Sequence, residues 1–270
     1  MNAARMSRTA LPEGMMEKRV RFAEEVRSRG HSDEWFHDNL VWSDFCSSIL
    51  PRSEKVAAAQ ALARKGKRGW GSRKSKQFSR NLRGSQDVLK QKEWGSERVW
   101  WVPILAKGKL HVEMLGANFH TEEPAGASAF VDAVQRGLAV RFQAGTPKPS
   151  FLFVDRGCGF WCTTTGRMTP ELADALEGTG LSAFWGDDAS VQPGYCADVM
   201  LHETAVAWIR CKLTETTPRH PWQETREQYA ARLRRVVTQI NSTHQVGGLC
   251  RKLGFRVDEL IRRQGDRLRS

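Results

Sequence analysis

The chain opens with an amphipathic pattern that is typical of a helix. Over residues 17–29, the apolar Val20, Phe22, Ala23 and Val26 recur between charged residues at helical spacing. A helix with this pattern buries one apolar stripe against a core and leaves its charged face in water. The pattern therefore predicts an amphipathic helix near the start of the chain.

Apolar runs further along the chain predict the strands of a sheet, and two of these runs end in an aspartate. Residues 39–44 and 150–155 are short apolar runs of the kind that form buried strands. Residues 98–105 and 110–115 flank a turn that contains a glycine, which predicts a hairpin. Pro103 lies in the first hairpin strand and predicts an edge position or a bulge there.

The remaining patterns predict mainly helices. These helices are predicted over 126–141, from Thr169 to about 178, from Asp198 to about 213, over 224–240 and over 257–263, with a short strand at 181–185. The order of elements predicts an α/β domain with a mixed sheet flanked by helices. It is compatible with a ribonuclease-H-like topology, in which three strands in hairpin order precede alternating helices and strands.

Three regions follow from this order. We expect a helical lead-in over 1–38, a ribonuclease-H-like domain over 39–215 and a basic helical extension over 216–270. The central domain carries a basic insertion at 51–98, after its first strand.

Composition excludes several classes of protein. The 270 residues are 40% hydrophobic, which is too apolar for a wholly disordered chain. No apolar run approaches the ~20 residues of a membrane-spanning helix, and no secretory signal is visible. The six cysteines are scattered, which favours a reducing compartment over a disulfide framework. We therefore expect an intracellular protein with no membrane partner, located in the nucleus if its source is a eukaryote.

The positive charge is concentrated in two segments. The formal net charge is +12, and residues 51–98 carry 14 basic against 4 acidic residues, while 219–270 carry 12 against 5. Such an excess favours an anionic partner, above all nucleic acid, although a solvated basic insertion is the alternative. A tryptophan among the cations offers a stacking face for bases. The candidate nucleic-acid-binding residues are Arg64, Lys65, Lys67, Arg68, Trp70, Arg73, Lys74, Lys76, Arg80 and Arg83.

Three acidic residues lie where they could bind metal. Asp44 and Asp155 end predicted strands, and strand ends in open α/β sheets face the crevice where ligands bind. Glu203 lies in the apolar stretch 201–208, where an unpaired charge would be costly. Each aspartate alone is more simply explained as a turn former, but the three acids together favour Mg²⁺ or Mn²⁺. His202, beside Glu203, either positions a water or phosphate or is a packed or surface histidine.

At these positions the sequence resembles the mariner-type transposases of the DDE superfamily. Residues 36–44 resemble the first catalytic strand of that family, and 151–155 resemble the second. Residues 99–113 are similar to the family's central hairpin, and 184–193 followed by 203–208 are similar to the segment that bears the third acid. The helix at 17–29, with its Arg-x-x-Phe-Ala opening, resembles the helix that precedes the first strand.

The resemblance covers about residues 17–215 and implies a ribonuclease-H-like DDE fold with metal-dependent DNA cutting and joining. It implies that Asp44, Asp155 and Glu203 are the catalytic triad and the ligands of two Mg²⁺ or Mn²⁺ ions. It also implies DNA as the partner, with a possible homodimer and no small-molecule substrate.

The sequence departs from the family pattern at several points. Phe45 lies where the family usually has an acid directly after the first aspartate. Glu203 lies 48 residues beyond Asp155, a longer spacing than usual, so Asp188, at 33 residues, is a rival third ligand. Only 43 residues precede Asp44, too few for the family's N-terminal DNA-recognition region. Three hypotheses remain: an active strand-transfer enzyme, a domesticated or degenerate relative that binds nucleic acid without catalysis, or a different ribonuclease-H-like nuclease that acts on RNA or a hybrid.

Overall fold

A computed structural model gives the fold of most of the chain. It describes residues 11–58, 60–61, 96–116, 126–142, 146–154, 160–162, 164–193, 196, 198–243 and 246–268. Asp155 and all ten candidate nucleic-acid-binding residues of the basic insertion lie outside the described residues.

The centre of the fold is a six-stranded mixed sheet. Its strands are β1 (Leu40–Ser43), β2 (Cys46–Pro51), β3 (Ser96–Ala106), β4 (Lys109–Met114), β5 (Phe151–Val154) and β6 (Ser182–Ala183). β3 pairs antiparallel with β1 and β4, whereas β5 pairs parallel with β1 and β6. β2 also pairs with β3. The antiparallel pairs of β3 with β1 and β4 thus precede β5 and β6 in the chain, and the mixed sheet confirms the predicted fold class.

The helices largely follow the predicted pattern. They include α1 (Met15–Ser28), α2 (Asp33–Asn39), α3 (Gly126–Arg141), α4 (Pro170–Leu176), α5 (Leu201–Glu215), α6 (Arg226–Thr243), α7 (Val246–Cys250) and α8 (Leu253–Arg262), with a 3₁₀ turn at Pro221–Gln223. Residues 54–58 and 60–61 are helical as well. Thr169 caps α4 as predicted, because its hydroxyl accepts the N–H of Leu172. Among the described residues, no helix is both long enough and apolar enough to cross a membrane.

The start of the stretch 36–44 is helical rather than extended. Asp33–Asn39 form α2, whose N-cap Ser32 accepts the N–H of Trp35, and β1 begins only at Leu40. The strand prediction is therefore wrong at Asn39, which is the last residue of α2. Serine followed by acids in the first turn is a strong helix-start signal, and it decides the local structure here.

The hairpin of β3 and β4 confirms its prediction but corrects the place of Pro103. β3 pairs on both sides, so Pro103 does not lie in an edge strand. It lies one residue beyond the last β1–β3 pair, Ser43 with Ile104, where β1 ends. Proline has no N–H to donate, so a position opposite the end of a partner strand suits it.

Side chains cover part of the outer edge of β4. Asn241 of α6 accepts the backbone N–H of Leu110 at 2.9 Å and donates to the carbonyl of the same residue at 2.8 Å. Arg141 donates to that carbonyl at 3.1 Å. The amide of Asn241 thus makes the pair of hydrogen bonds that a neighbouring strand would make.

Aromatic side chains fill the core around β1 and β5. Trp42 stacks on Phe153 with ring centroids 4.3 Å apart, and Phe153 stacks on Phe184 at 5.1 Å. Trp42 and Phe153 are fully buried. Near-continuous apolar runs are expected in parallel strands that are covered on both faces.

A buried ion pair joins the two ends of the chain to the segment before α5. Arg19 of α1 is fully buried, and its two terminal nitrogens donate to the two carboxylate oxygens of Asp198, each at 2.8 Å. Its Nε donates to the carbonyl of Gly265, and Asp198 also accepts the N–H of Leu268. Burial alone would raise the pKa of the Asp198 carboxyl, but the hydrogen bonds and charge of Arg19 hold it below its usual value. The pair therefore remains ionised.

The chain divides into two compact units. One unit comprises Leu11–Cys46, Trp100–Glu215 and Ala231–Ser270, and the other comprises Met1–Ala10, Ser47–Val99 and Thr216–Ala230. In the described part of the second unit, Arg52 forms an ion pair with Glu97 and donates to the carbonyl of Glu224. Tyr229 donates to the hydroxyl of Ser48 at 2.6 Å.

Replacing Arg19 with methionine will strongly destabilise the protein. Arg19→Met leaves the carboxylate of Asp198 buried without its cation, a change that lowers the free energy of unfolding by about 3–5 kcal/mol. Chemical denaturation of the purified variant measures this change. Arg21→Met, on an exposed position of the same helix, is the matched control and changes stability by less than about 0.5 kcal/mol. Equal stability of the two variants would contradict the role of the ion pair.

Candidate functional site

Asp44 lies at an interruption between two strands that share a partner. β1 ends at Ser43 and β2 begins at Cys46, and both strands pair with β3. Asp44 is half-buried, and its Oδ1 accepts the N–H of Phe45 at 2.6 Å. Val154, the last residue of β5, pairs with Ser43, so the two parallel strands end level with each other. This edge is where the sequence predicted the ligand-binding crevice.

Phe45 packs into an aromatic cluster. Its ring centroid lies 4.9 Å from that of Phe130, 5.2 Å from that of Phe160 and 6.4 Å from that of Trp100. A carboxylate in this place would lie among apolar rings, where an unpaired charge is costly. The departure from the family pattern at Phe45 is therefore part of the packing of this core.

Glu203 lies in the first turn of α5, where the helix dipole favours a negative charge. It is half-buried, next to the buried His202. The prediction that this helix starts at Asp198 is wrong, because α5 begins at Leu201 and the carboxylate of Asp198 binds Arg19. The ion pair holds the segment that leads into α5.

Arg256 of α8 binds the two residues before α5 and a residue in its first turn. Its Nη1 donates to the carbonyls of Val199 and Met200, each at 3.2 Å, and its Nη2 donates to the hydroxyl of Thr204 at 2.8 Å. Thr204 directly follows Glu203 in the chain. The guanidinium therefore fixes the helix start that carries the candidate acid.

The structure brings Asp44 and Glu203 together and adds His202 to them. One potential ligand atom of each of the three residues lies within 4.8 Å of the other two. The distance from His202 Nε2 to Asp44 Oδ2 is 3.9 Å. Two carboxylates and one imidazole at this separation are a chemically suitable set of ligands for a divalent cation.

His202 is the most buried member of the group. Its side chain is 1% exposed, against 21% for Asp44. Burial lowers the pKa of the His202 imidazole to about 4, so the ring is neutral at physiological pH. Its ring lies 6.4 Å from that of Trp42. His202 is therefore not a surface histidine, because its side chain is packed against the core beside the acids.

The charges of both acids affect the pKa of the buried Cys46 thiol. Burial, followed by the negative charge of Asp44, raises the pKa of the Cys46 thiol, and Glu203 acts in the same direction. Arg210, an exposed residue two turns beyond Glu203 on α5, opposes this shift. Cys46 is thus a neutral packing residue at the border of the carboxylate group, and Arg210 brings a cation close to it.

Asp188 does not belong to the carboxylate group of the described residues. It is exposed, and its Oδ1 accepts the N–H of Ser190 at 2.7 Å, as in an Asx turn. Its backbone forms a bridge with Arg167. The geometry brings Glu203, rather than Asp188, to Asp44, while Asp155 lies outside the described residues.

Sequence reasoning missed the role of Arg256. The only signal available was its position, since Arg256 lies between Leu253, Val257 and Leu260 on the buried face of α8. An arginine on an apolar helix face usually has buried acceptors. The identity of those acceptors depends on tertiary packing, which the sequence pattern does not contain.

The fold is similar to that of solved transposase structures. The Mos1 transposase catalytic domain with raltegravir and Mn superposes with a TM-score of 0.58 and 12% identity, over 97% of this chain and 100% of that chain. The catalytic domain of the Mos1 mariner transposase gives a TM-score of 0.54 and 11% identity, over 98% and 100%. The Mos1 transposase paired-end complex with the left transposon end gives 0.60 and 12%, over 100% of this chain and 68% of that chain.

These similarities confirm the mariner-type resemblance at the level of the fold. No protein-family description matches the sequence, and no curated protein sequence matches it. The chain therefore has the ribonuclease-H-like fold of the Mos1 catalytic domain, with little sequence in common.

Replacing Arg256 will loosen the start of α5. Arg256→Met removes three hydrogen bonds and leaves two carbonyls without this donor, which lowers the free energy of unfolding by about 1.5–3 kcal/mol. Hydrogen exchange of the amides at 203–206 becomes faster in the variant. Lys252→Met, at an exposed position just before α8, is the control and leaves both quantities unchanged. Wild-type exchange at 203–206 in Arg256→Met would contradict the positioning role.

Proposed function

We propose that this chain is a DDE-type catalytic domain that cleaves DNA strands and transfers them with the help of divalent metal ions. The observation that carries the proposal is the convergence of Asp44 and Glu203, with His202, within 4.8 Å. They converge in a fold like that of the Mos1 transposase catalytic domain. Asp155, the residue that follows β5 in the sequence, completes the proposed triad.

The proposed residues suit two Mg²⁺ or Mn²⁺ ions. Carboxylate oxygens are the ligands that these ions prefer, and Asp44 and Glu203 provide such oxygens at one edge of the sheet. Bound there, two ions would polarise the phosphodiester and lower the pKa of an attacking water or 3′-hydroxyl. Asp44 is held at a strand end and Glu203 at a helix start, and these rigid elements keep the carboxylates in place.

DNA is the proposed substrate and partner. The two basic segments, 51–98 and 219–270, supply cations that can neutralise phosphates, while the candidate acids lie outside these segments. The solved structures with a similar fold include a Mos1 paired-end complex with a transposon end and a Mos1 strand transfer complex. The proposal includes nuclear location in a eukaryotic source and is compatible with a homodimer.

The proposed activity predicts metal-dependent nicking that requires Asp44 and Asp155. With Mn²⁺ or Mg²⁺, the wild-type chain nicks supercoiled plasmid, whereas Asp44→Asn and Asp155→Asn each lower the rate by at least about a hundredfold. Asp174→Asn, an exposed aspartate of α4, keeps the wild-type rate and controls for the lost charge. A gel assay with and without EDTA measures the rates. Salt-sensitive DNA binding without nicking would favour the domesticated or degenerate relative instead.

The identity of the third acid has its own test. A cation that binds only the folded protein stabilises it by about 2.7 kcal/mol at a concentration of 100 Kd. We expect Mn²⁺ to raise the Tm of the wild type and of Asp188→Asn, but to raise that of Glu203→Gln much less. Thermal unfolding with and without Mn²⁺ measures these shifts. Loss of the shift in Asp188→Asn but not in Glu203→Gln would assign the third ligand to Asp188.

A further inference from the structure

His202 presents a buried nitrogen to the candidate carboxylates. Its side chain is 1% exposed, and neither ring nitrogen has a hydrogen-bond partner among the described residues. Nε2 faces Asp44 Oδ2 at 3.9 Å, which is too far for a hydrogen bond. The nitrogen and the carboxylate oxygen thus lie side by side without contact.

A histidine in this state needs an explanation. A buried polar atom without a partner destabilises a protein by roughly 1–3 kcal/mol, and an apolar residue of similar size would fill the same space without that penalty. Within the described part of the chain, the indole nitrogens of three buried tryptophans, Trp42, Trp161 and Trp185, also lack hydrogen-bond partners. An indole nitrogen can only donate a hydrogen bond, whereas an imidazole nitrogen can also bind a metal. Among the described residues, His202 is the histidine that belongs to a group of potential metal ligands.

We propose that His202 Nε2 is a ligand to the same divalent cation as Asp44 and Glu203, and that it gives the site a preference for Mn²⁺ over Mg²⁺. This inference rests on the proposed function and deepens it, because it adds a nitrogen to an all-carboxylate site.

The distances fit a shared ion. Ligand atoms lie about 2.0–2.2 Å from Zn²⁺ or Mg²⁺, so two atoms on opposite sides of one such ion are at most about 4.4 Å apart. The 3.9 Å between Nε2 and Oδ2 is within this limit. The ligand atoms of all three residues lie within 4.8 Å of one another, so binding one ion requires at most a small side-chain adjustment of the half-buried acids.

The chemistry of the ligand set gives the preference. Mg²⁺ favours oxygen ligands and gives up its waters reluctantly, whereas imidazole nitrogen suits first-row transition metals. Adding Nε2 to the carboxylates therefore strengthens Mn²⁺ binding more than Mg²⁺ binding. His202 is held in place by burial against the core, so it does not swing away to leave a purely carboxylate site.

The experiment measures metal binding directly in the full chain. Mn²⁺ affinity is obtained by electron paramagnetic resonance titration, and Mg²⁺ affinity by competition. Nitrogen modulation of the electron spin echo of bound Mn²⁺ reports whether an imidazole is a ligand. The variants are His202→Gln, which places an amide near Nε2, and His220→Gln, an exposed control. Asp44→Asn tests whether the bound Mn²⁺ occupies the site that contains Asp44.

We expect nitrogen modulation in the wild type and in His220→Gln, and its loss in His202→Gln. We also expect His202→Gln to weaken Mn²⁺ binding at least about tenfold while changing Mg²⁺ binding less than about threefold. Wild-type Mn²⁺ affinity in His202→Gln would overturn the inference. Mn²⁺ bound to the wild-type protein without nitrogen modulation would also overturn it. This result does not depend on whether any variant folds.

The outcomes separate this inference from the proposed function. If Asp44→Asn abolishes Mn²⁺ binding and nicking while His202→Gln keeps the wild-type Mn²⁺ affinity, the proposed function stands and the histidine ligand is wrong. If the wild type binds no Mn²⁺ that depends on Asp44, both are wrong.

Discussion

The buried ion pair of Arg19 and Asp198 is the interaction on which the candidate site depends. It joins α1, the C-terminal turn at Gly265 and the segment that leads into α5. Placing a guanidinium in the core is tolerable only because a bidentate carboxylate and a carbonyl satisfy it. Residues far away in the sequence therefore determine the position of the start of α5. Glu203 faces Asp44 because this remote pair, together with Arg256, fixes the helix start.

The sequence was sufficient for the elements whose patterns are local. Apolar runs predicted β5 and the β3–β4 hairpin, and the N-cap Thr169 predicted α4, because each depends on neighbouring residues. It failed at Asn39, where a helix begun by Ser32 extends to the edge of β1. It also missed β2, whose Ser47 and Ser48 interrupt the apolar pattern while pairing with β3 supplies the hydrogen bonds. Strand pairing of this kind is a tertiary property.

The sequence was sufficient to predict the acids of the candidate site, but not the residues that surround them. Asp44 and Glu203 were predicted from a strand end and an apolar helix, and the structure brings them together. Nothing local indicated that His202 is more buried than either acid, because the helix alone does not show which face meets the core. Phe45 was a departure from a family pattern in the sequence, but in the structure it is a packing residue. Evolution of an acid at that position would require a different aromatic core around Phe130 and Phe160.

The amide of Asn241 has a consequence for assembly. By bonding both backbone groups of Leu110, it occupies a place on β4 where another copy of the chain could otherwise add a strand. Open sheet edges nucleate fibres and unwanted oligomers in concentrated protein solutions. The side chain of Asn241 on α6 thus restricts the addition of a further strand at Leu110 of β4.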